Sequence, residues 1–329
     1  MKKRLLSYLY CPHCNGELHL SKHMDEPEIL AGSLLCGTCQ QQYEITNGVP
    51  IFTRFYKDHK IKLTAQNFGY SWQKFSKINK GFYKKQFFDW IKPVNENFLK
   101  GKVVLDAGCG KGRHLMTISP YVKEVIGVDI SDSVFVAYNN TKHLPNVHII
   151  QADLNYLPLK DEIFDYVYSI GVVHHTESPK TTIYNLHKKT KKSGSISLWI
   201  YGKENNEWIV YCIDPVRKFL THYMPPEIIH IISFLLTLLL FPILKIIYLP
   251  TVKFKILQPL GKVLFYHAYL SYISEFDFTE INSIICDHLV APVSHYLSKK
   301  EVEDMVSINS SKSNLEWHNK NSWRILIAK

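Results

Sequence analysis

With 329 residues, 46% of them hydrophobic and 21% charged, the chain is long and apolar enough for two domains, or one domain with a large insertion, and its composition excludes disordered and fibrous classes. The formal charge of +10 is uneven: residues 1–100 carry 15 Lys/Arg against 8 Asp/Glu, residues 101–200 carry 11 against 9, and residues 201–329 carry 13 against 12. An amino-terminal excess of this kind suits nucleic acid or an anionic membrane face, but only five basic residues are Arg, the side chain that reads phosphate and guanine bidentately, which argues against sequence-specific readout.

Residues 1–53 read as a small module. Cys11-Pro-His-Cys14 and Cys36-Gly-Thr-Cys39 form two C-x2-C knuckles, and four thiolates at this spacing predict a closed tetrahedral zinc site without an open catalytic position. Short strands are expected at SLLC and YEIT, followed by an Asn47-Gly48 turn. A module this small has little core, so zinc supplies much of its stability. The paired cysteines, and a leading apolar run too short for a secretory signal, lead to the expectation of a reducing, cytoplasmic setting. Residues 54–100 are rich in lysine and aromatics and are expected to form an amphipathic helical cap or linker.

From residue 101 the pattern alternates between apolar strands and helices. The strands are VVLD (103–106), VIGVD (125–129), VHII (147–150), FDYVYS (164–169) and SISLWI (195–200), an order that predicts an α/β fold with a parallel sheet covered on both faces. The alternation resumes near the end, with a capping-box helix opening at Ser298 and two strands at LEW (315–317) and WRILIA (323–328). Residues 101–201 and 298–329 therefore form one domain interrupted by a helical, hydrophobic insertion at 202–297, expected to touch either the acceptor or a membrane. Within it, Ile228–Leu249 is apolar and interrupted by His230, Pro242 and Lys245. Spanning would separate two parts of one sheet, so the segment is expected either as a hairpin dipping into one leaflet or as buried helix, with peripheral association at the inner membrane face as the first outcome.

After the first strand of the sheet, Asp106 precedes Gly108, Gly110 and Gly112 in a tight G-x-G-x-G turn where a nucleoside can lie on bare backbone. Asp129 ends the next strand, where an acid can accept both ribose hydroxyls, and Asp153 with Leu154 follows the third, where an acid and an apolar side chain can meet an adenine. Asp106 is placed to bind a ligand ammonium directly or through water. Three acids suit a cationic, phosphate-free nucleoside better than a dinucleotide.

These motifs resemble the class I S-adenosylmethionine-dependent methyltransferases of the type 11-like group, across 101–201 and 298–329. The resemblance implies a Rossmann-like seven-stranded sheet with a reversed carboxy-terminal hairpin, S-adenosyl-L-methionine as cofactor, and a fourth motif at 164–179 in which Ser169 borders the sulfonium. Residues 1–53 resemble the zinc-ribbon activator subunits that partner methyltransferases. An imidazole at the mouth of the site could serve as base, and His174 and His175 stand there, although adjacent residues diverge and only one can face the ligand. His288 and His295 are weaker candidates. The expected acceptor is a small molecule, saccharide or lipid-linked intermediate, with nucleic acid less favoured. An RNA methyltransferase using the ribbon and basic amino-terminal region, and a non-catalytic binding protein of the same fold, are the alternatives.

Overall fold

Alternating apolar residues in the first fifty positions fold into a four-stranded antiparallel sheet of strands β1 (Leu18–His23), β2 (Gly32–Cys36), β3 (Gln42–Thr46) and β4 (Val49–Pro50), joined in chain order. The computed structural model describes residues 1–23, 28–52, 59–78, 80–219, 224–290, 294–307 and 312–329; the expected boundary between ribbon and cap, at 53/54, lies outside them.

The second sheet has seven strands: β5 (Val103–Ala107), β6 (Glu124–Asp129), β7 (Val147–Gln151), β8 (Phe164–Ile170), β9 (Thr190–Tyr201), β10 (Lys312–His318) and β11 (Ser322–Ala328). Their order across the sheet is β10-β11-β9-β8-β5-β6-β7; β9, β8, β5, β6 and β7 are parallel, and β11 runs antiparallel to both neighbours. All five residues of β5 and of β7 are buried, as strands covered on both faces require. The order reverses between β5 and β8, the point at which α/β sheets open a crevice at their strands' carboxyl ends. The capping box at Ser298 is present, with the Ser298 amide donating to Glu301 Oε2 at 2.8 Å and the Glu301 amide to Ser298 Oγ at 3.4 Å.

The ribbon is not an appendage. Leu5, Leu9, Leu34, Tyr43 and Phe52 share one apolar core with Ile150, Leu157 and Leu159 of the larger domain. Ile51 pairs with Gln151 as a parallel bridge, the Phe52 amide donating to the Gln151 carbonyl at 2.8 Å, so the ribbon meets the outer edge of β7 at its carboxyl end. The expected cap consists of helices His59–Lys74, Lys80–Trp90 and Glu96–Leu99, and it buries Tyr83, Phe87 and Trp90.

In the insertion, Pro226–Ile243 continues through a widened π-turn, Leu244–Tyr248, into Leu249–Lys253 as one 28-residue helix. Pro242 leaves a carbonyl without its usual donor, and a π-turn directly follows it, so the chain continues without a hairpin bend. Neither expected form is seen: the helix does not fold back on itself, and most of it is not buried, since its most apolar stretch is only 22% enclosed.

Candidate active site and metal centre

Four sulfur atoms meet where the two knuckles face each other. Those of Cys11, Cys14, Cys36 and Cys39 all lie within 4.8 Å of one another, with Cys11–Cys39 at 3.7 Å and Cys14–Cys36 at 3.4 Å. A tetrahedron of thiolates around zinc, with bonds of about 2.3 Å, needs sulfur separations of about 3.8 Å. The set therefore fits a structural zinc. The Tyr43 hydroxyl, 3.1 Å from Cys11 Sγ, supports a ligand from behind.

Turns at the carboxyl ends of β5, β6, β7 and β8 open onto a single cavity that extends under the cap and into the insertion. Gly108 stands at φ +94°, and a Cβ there would lie 2.2 Å from Val172, so the turn after β5 tolerates no side chain. The amides of Gly108 and Cys109 both donate to the Val128 carbonyl, at 2.7 and 3.0 Å, clamping the turn to β6. Gly110 lines the cavity; its amide donates to Asp129 Oδ2 at 2.9 Å, while Asp129 Oδ1 accepts from the Ser131 amide and hydroxyl at 2.9 and 2.7 Å. Asp153 and Leu154 line the same wall. Burial raises the Asp153 carboxyl above its ordinary range, while the Asn155 amide, donating to its Oδ1 at 2.8 Å, works in the opposite direction. The acid at the end of β6, the acid and leucine after β7 and the bare glycine backbone are thus brought together on the wall of one cleft.

Four expected residues lie elsewhere. Gly112 is absent from the cavity wall and packs instead against the helix Ser133–Thr141, where a Cβ would meet Ala137 at 3.2 Å. Ser169 is fully buried, its hydroxyl donating to the Ala107 carbonyl at 2.7 Å, so it ties β8 to β5 and is absent from the cavity wall. Asp106 is buried behind the turn, so direct contact with an ammonium is replaced by action through its field. Burial pushes its carboxyl up to about 8, Tyr168 opposes that shift, and its Oδ2 has no partner among the described residues. A carboxyl held neutral by burial, with one oxygen short of partners beside the cleft, would ionise more readily next to a cationic ligand.

The histidine pair diverges as adjacent residues must. His175 lines the cavity, its Nδ1 lying 2.9 Å from Ser294 Oγ. His174 is fully buried against Tyr201, with ring centroids 4.0 Å apart and no hydrogen-bond partner for either nitrogen among the described residues; burial holds it neutral, well below its usual pKa. His174 is therefore a packing residue and not a base. His288 lines the cavity and is pushed down to about 4 by burial, whereas the His295 amide donates to the His174 carbonyl at 2.8 Å.

Beyond the cleft the cavity widens into a chamber of rings, Trp199, Tyr201, Tyr266, Tyr269, Tyr272 and Tyr296. Sequence reasoning left out Asp287, Lys111 and Arg113, which line the same space. Asp287 Oδ1 has no partner among the described residues, and burial raises the carboxyl to about 7 against the pull of Arg113 and Lys111. The Arg113 guanidinium stands 5.2–5.8 Å from the rings of Tyr83, Trp72 and Trp90. A signal was present: Tyr266, Tyr269 and Tyr272 recur at a spacing of three, one face of a helix, and Asp287 adjoins His288.

Comparison with known proteins agrees with this arrangement. Residues 105–198 match a family model described as a methyltransferase domain, and residues 2–48 match that of Trm112p-like proteins. The tRNA U34 carboxymethyltransferase of Pseudoalteromonas atlantica is 32% identical over 114 residues, covering 32% of this chain and 35% of that protein. That of Shewanella pealeana is 30% identical over 143 residues, covering 37% and 43%. The chain thus spans well under half the length of these curated relatives. Among solved structures, a methyltransferase of Aquifex aeolicus aligns at 15% identity and a TM-score of 0.40 over 76% of this chain and 98% of its own. A Haloferax volcanii complex of the Trm112 activator with a methyltransferase aligns at 20% and 0.37 over 47% and 68%.

Proposed function

We propose that this chain, which carries a class I S-adenosylmethionine-dependent methyltransferase domain behind a Trm112p-like zinc ribbon, transfers a methyl group to RNA of the tRNA class. The relatives overturn two expectations, that of a small-molecule, saccharide or lipid-linked acceptor and that of nucleic acid as the less favoured partner, because the curated proteins matching the core are named for a tRNA nucleoside. The scarcity of arginine misled for a physical reason. Bidentate arginine readout belongs to the grooves of duplexes, whereas an unstacked RNA base is held by ring stacking and enclosure, and lysine serves phosphate as a point charge.

The observation that carries the reading is the continuity of the acid-lined cleft with a chamber walled by aromatic rings, a shape suited to a planar base turned out of its stack. Support also comes from the excess of 15 Lys/Arg over 8 Asp/Glu in residues 1–100, beside the cavity's cap.

The bound cofactor would supply an electrophilic carbon on a good leaving group. Asp129 and Gly110 would hold the ribose edge, Asp153 and Leu154 the adenine, and the field of Asp106 would favour the positive sulfur. The rings of Tyr201 and Tyr296, tilted 20° to each other with centroids 5.5 Å apart, would fix the acceptor plane and exclude water, so that orientation provides most of the acceleration. His175, which lines the cavity, would take a proton from the acceptor.

The test is transfer of labelled methyl from S-adenosylmethionine to total RNA of cells lacking this chain. Label that ribonuclease releases and protease leaves in place is expected. Tight cofactor binding with no RNA-borne label would reject the acceptor class, and absence of binding would reject the enzyme.

A further inference from the structure

The long helix of the insertion turns a mixed face of Ile229, Ser233, Thr237, Leu244 and Tyr248 toward the protein and an apolar face toward the outside. Ile231, Leu235 and Leu239 recur every fourth residue on the exposed face, with Leu239 69% and Ile246 74% exposed. On the opposite face, Ile229, Ser233 and Thr237 are fully buried, and the hydroxyls of Ser233 and Thr237 lie 2.9 and 3.3 Å from Asn282 Oδ1 of the neighbouring helix. A helix on a water-facing surface shows the reverse arrangement. The pattern continues into the 3-10 segment Lys255–Lys262, where Ile256 is 86% exposed and nothing is buried, and on to Val263.

Charge follows the same surface. Residues 228–274 contain no Asp or Glu but four lysines, of which Lys253, Lys255 and Lys262 are exposed, while Lys245 donates to the Ser274 and Phe276 carbonyls at 2.7 and 2.6 Å. The two ends of the insertion return to one place, since Gly202 bridges Leu297 beside β9, so the segment leaves and re-enters the protein on one side.

We infer that residues 226–265 insert in the plane of an anionic membrane leaflet, with the outward Leu/Ile face in the acyl region and the lysines at the headgroups. The chemistry required is that of a lipid bilayer carrying acidic headgroups. RNA would leave the Leu/Ile face in water. A second copy packed by the same face would bring its lysines against like charges, with no carboxylate between residues 228 and 274 to answer them. Docking is independent of the acceptor reading.

The experiment is flotation of the full chain with vesicles of phosphatidylcholine, alone or mixed with phosphatidylglycerol. Recovery in the floating fraction is expected with the mixture and should fall with salt. Lys253→Gln and Lys255→Gln should each lower anionic partition roughly fivefold. Ile246→Glu with Val263→Glu should abolish flotation while zinc content and cofactor affinity stay at the parental level, which separates lost docking from lost folding. Three results would overturn the inference: a chain that stays at the bottom with both vesicle types, glutamate variants that float as the parent does, or a lipid-free dimer that those variants dissociate. None of the readouts uses RNA, so failure here leaves the acceptor assignment standing.

Discussion

Asp129 and Gly110 are joined by a 2.9 Å hydrogen bond from the glycine amide to the carboxylate, so the acid that ends β6 also holds the turn that follows β5. Asp129→Ala removes the ribose acceptor and the restraint on the turn together. A hydrogen bond to a charged group contributes about 1.5–3 kcal/mol, so affinity for S-adenosylmethionine should fall roughly 10- to 100-fold. Asp129→Asn keeps an oxygen for the Gly110 amide and should lose less. Calorimetric titration of both variants checks this, and unchanged affinity for the alanine variant would remove Asp129 from the cleft.

Asp106 should behave as an acid stabilised in its neutral form. Its folded value of about 8 lies above the unfolded value, so stability declines as pH rises from about 4 and the loss is complete only above about 8. At pH 8 Asp106→Asn should raise the melting temperature, on the order of 5 °C, and weaken binding of the cationic cofactor. Binding to the parent should release protons, visible as a dependence of the calorimetric heat on buffer ionisation. Equal melting temperatures and no proton release would count against the assignment.

Buried His174 and His288 make the fold acid-labile. Both have folded values below the unfolded value of about 6.5, so the unfolded chain takes up protons that the folded chain refuses, and stability falls as pH drops below about 6.5. Each contributes a slope of about 1.4 kcal/mol per pH unit until its folded value is reached. Urea midpoints of His174→Gln between pH 4.5 and 6 should therefore fall less steeply than those of the parent. His175→Gln, on the cavity wall, should instead lower the transfer rate with little change in stability.

Loss of a zinc ligand should reach beyond the ribbon. Cys36→Ser, or chelation of the parent, should remove the metal and lower the melting temperature of the whole chain, because Phe52 and Ile51 pair with Gln151 two residues before Asp153. A several-fold weaker affinity for the cofactor should accompany it. Metal analysis and calorimetry of one sample test the link; full affinity without zinc would show the ribbon to be a separate unit.

Much of this was legible because short-range patterns carried it. The four cysteines, the glycine turn, Asp129, Asp153 and Leu154 follow spacing rules that burial and strand direction impose. Gly112, Ser169 and His174 were misplaced because a motif gives an address along the chain but not which side of a turn faces the ligand. Ser169 turns back to the Ala107 carbonyl, and His174 turns under Tyr201. Asp287 and the tyrosine chamber left a local trace in the three-residue spacing of Tyr266, Tyr269 and Tyr272, but their meeting with the cleft depends on contacts between the insertion and the sheet that spacing does not encode. The long helix was misread because its apolar residues suit a buried core equally well until the partners of Ser233 and Thr237 are known.

The bridge between Ile51 and Gln151 gives the ribbon a second task. An uncovered parallel strand offers free amides and carbonyls to any other extended chain, and the segment that meets this edge at Gln151 belongs to a ribbon whose four cysteines fit a structural zinc. Chelation of zinc would then be expected to bare that edge, so light scattering should rise alongside the fall in cofactor affinity.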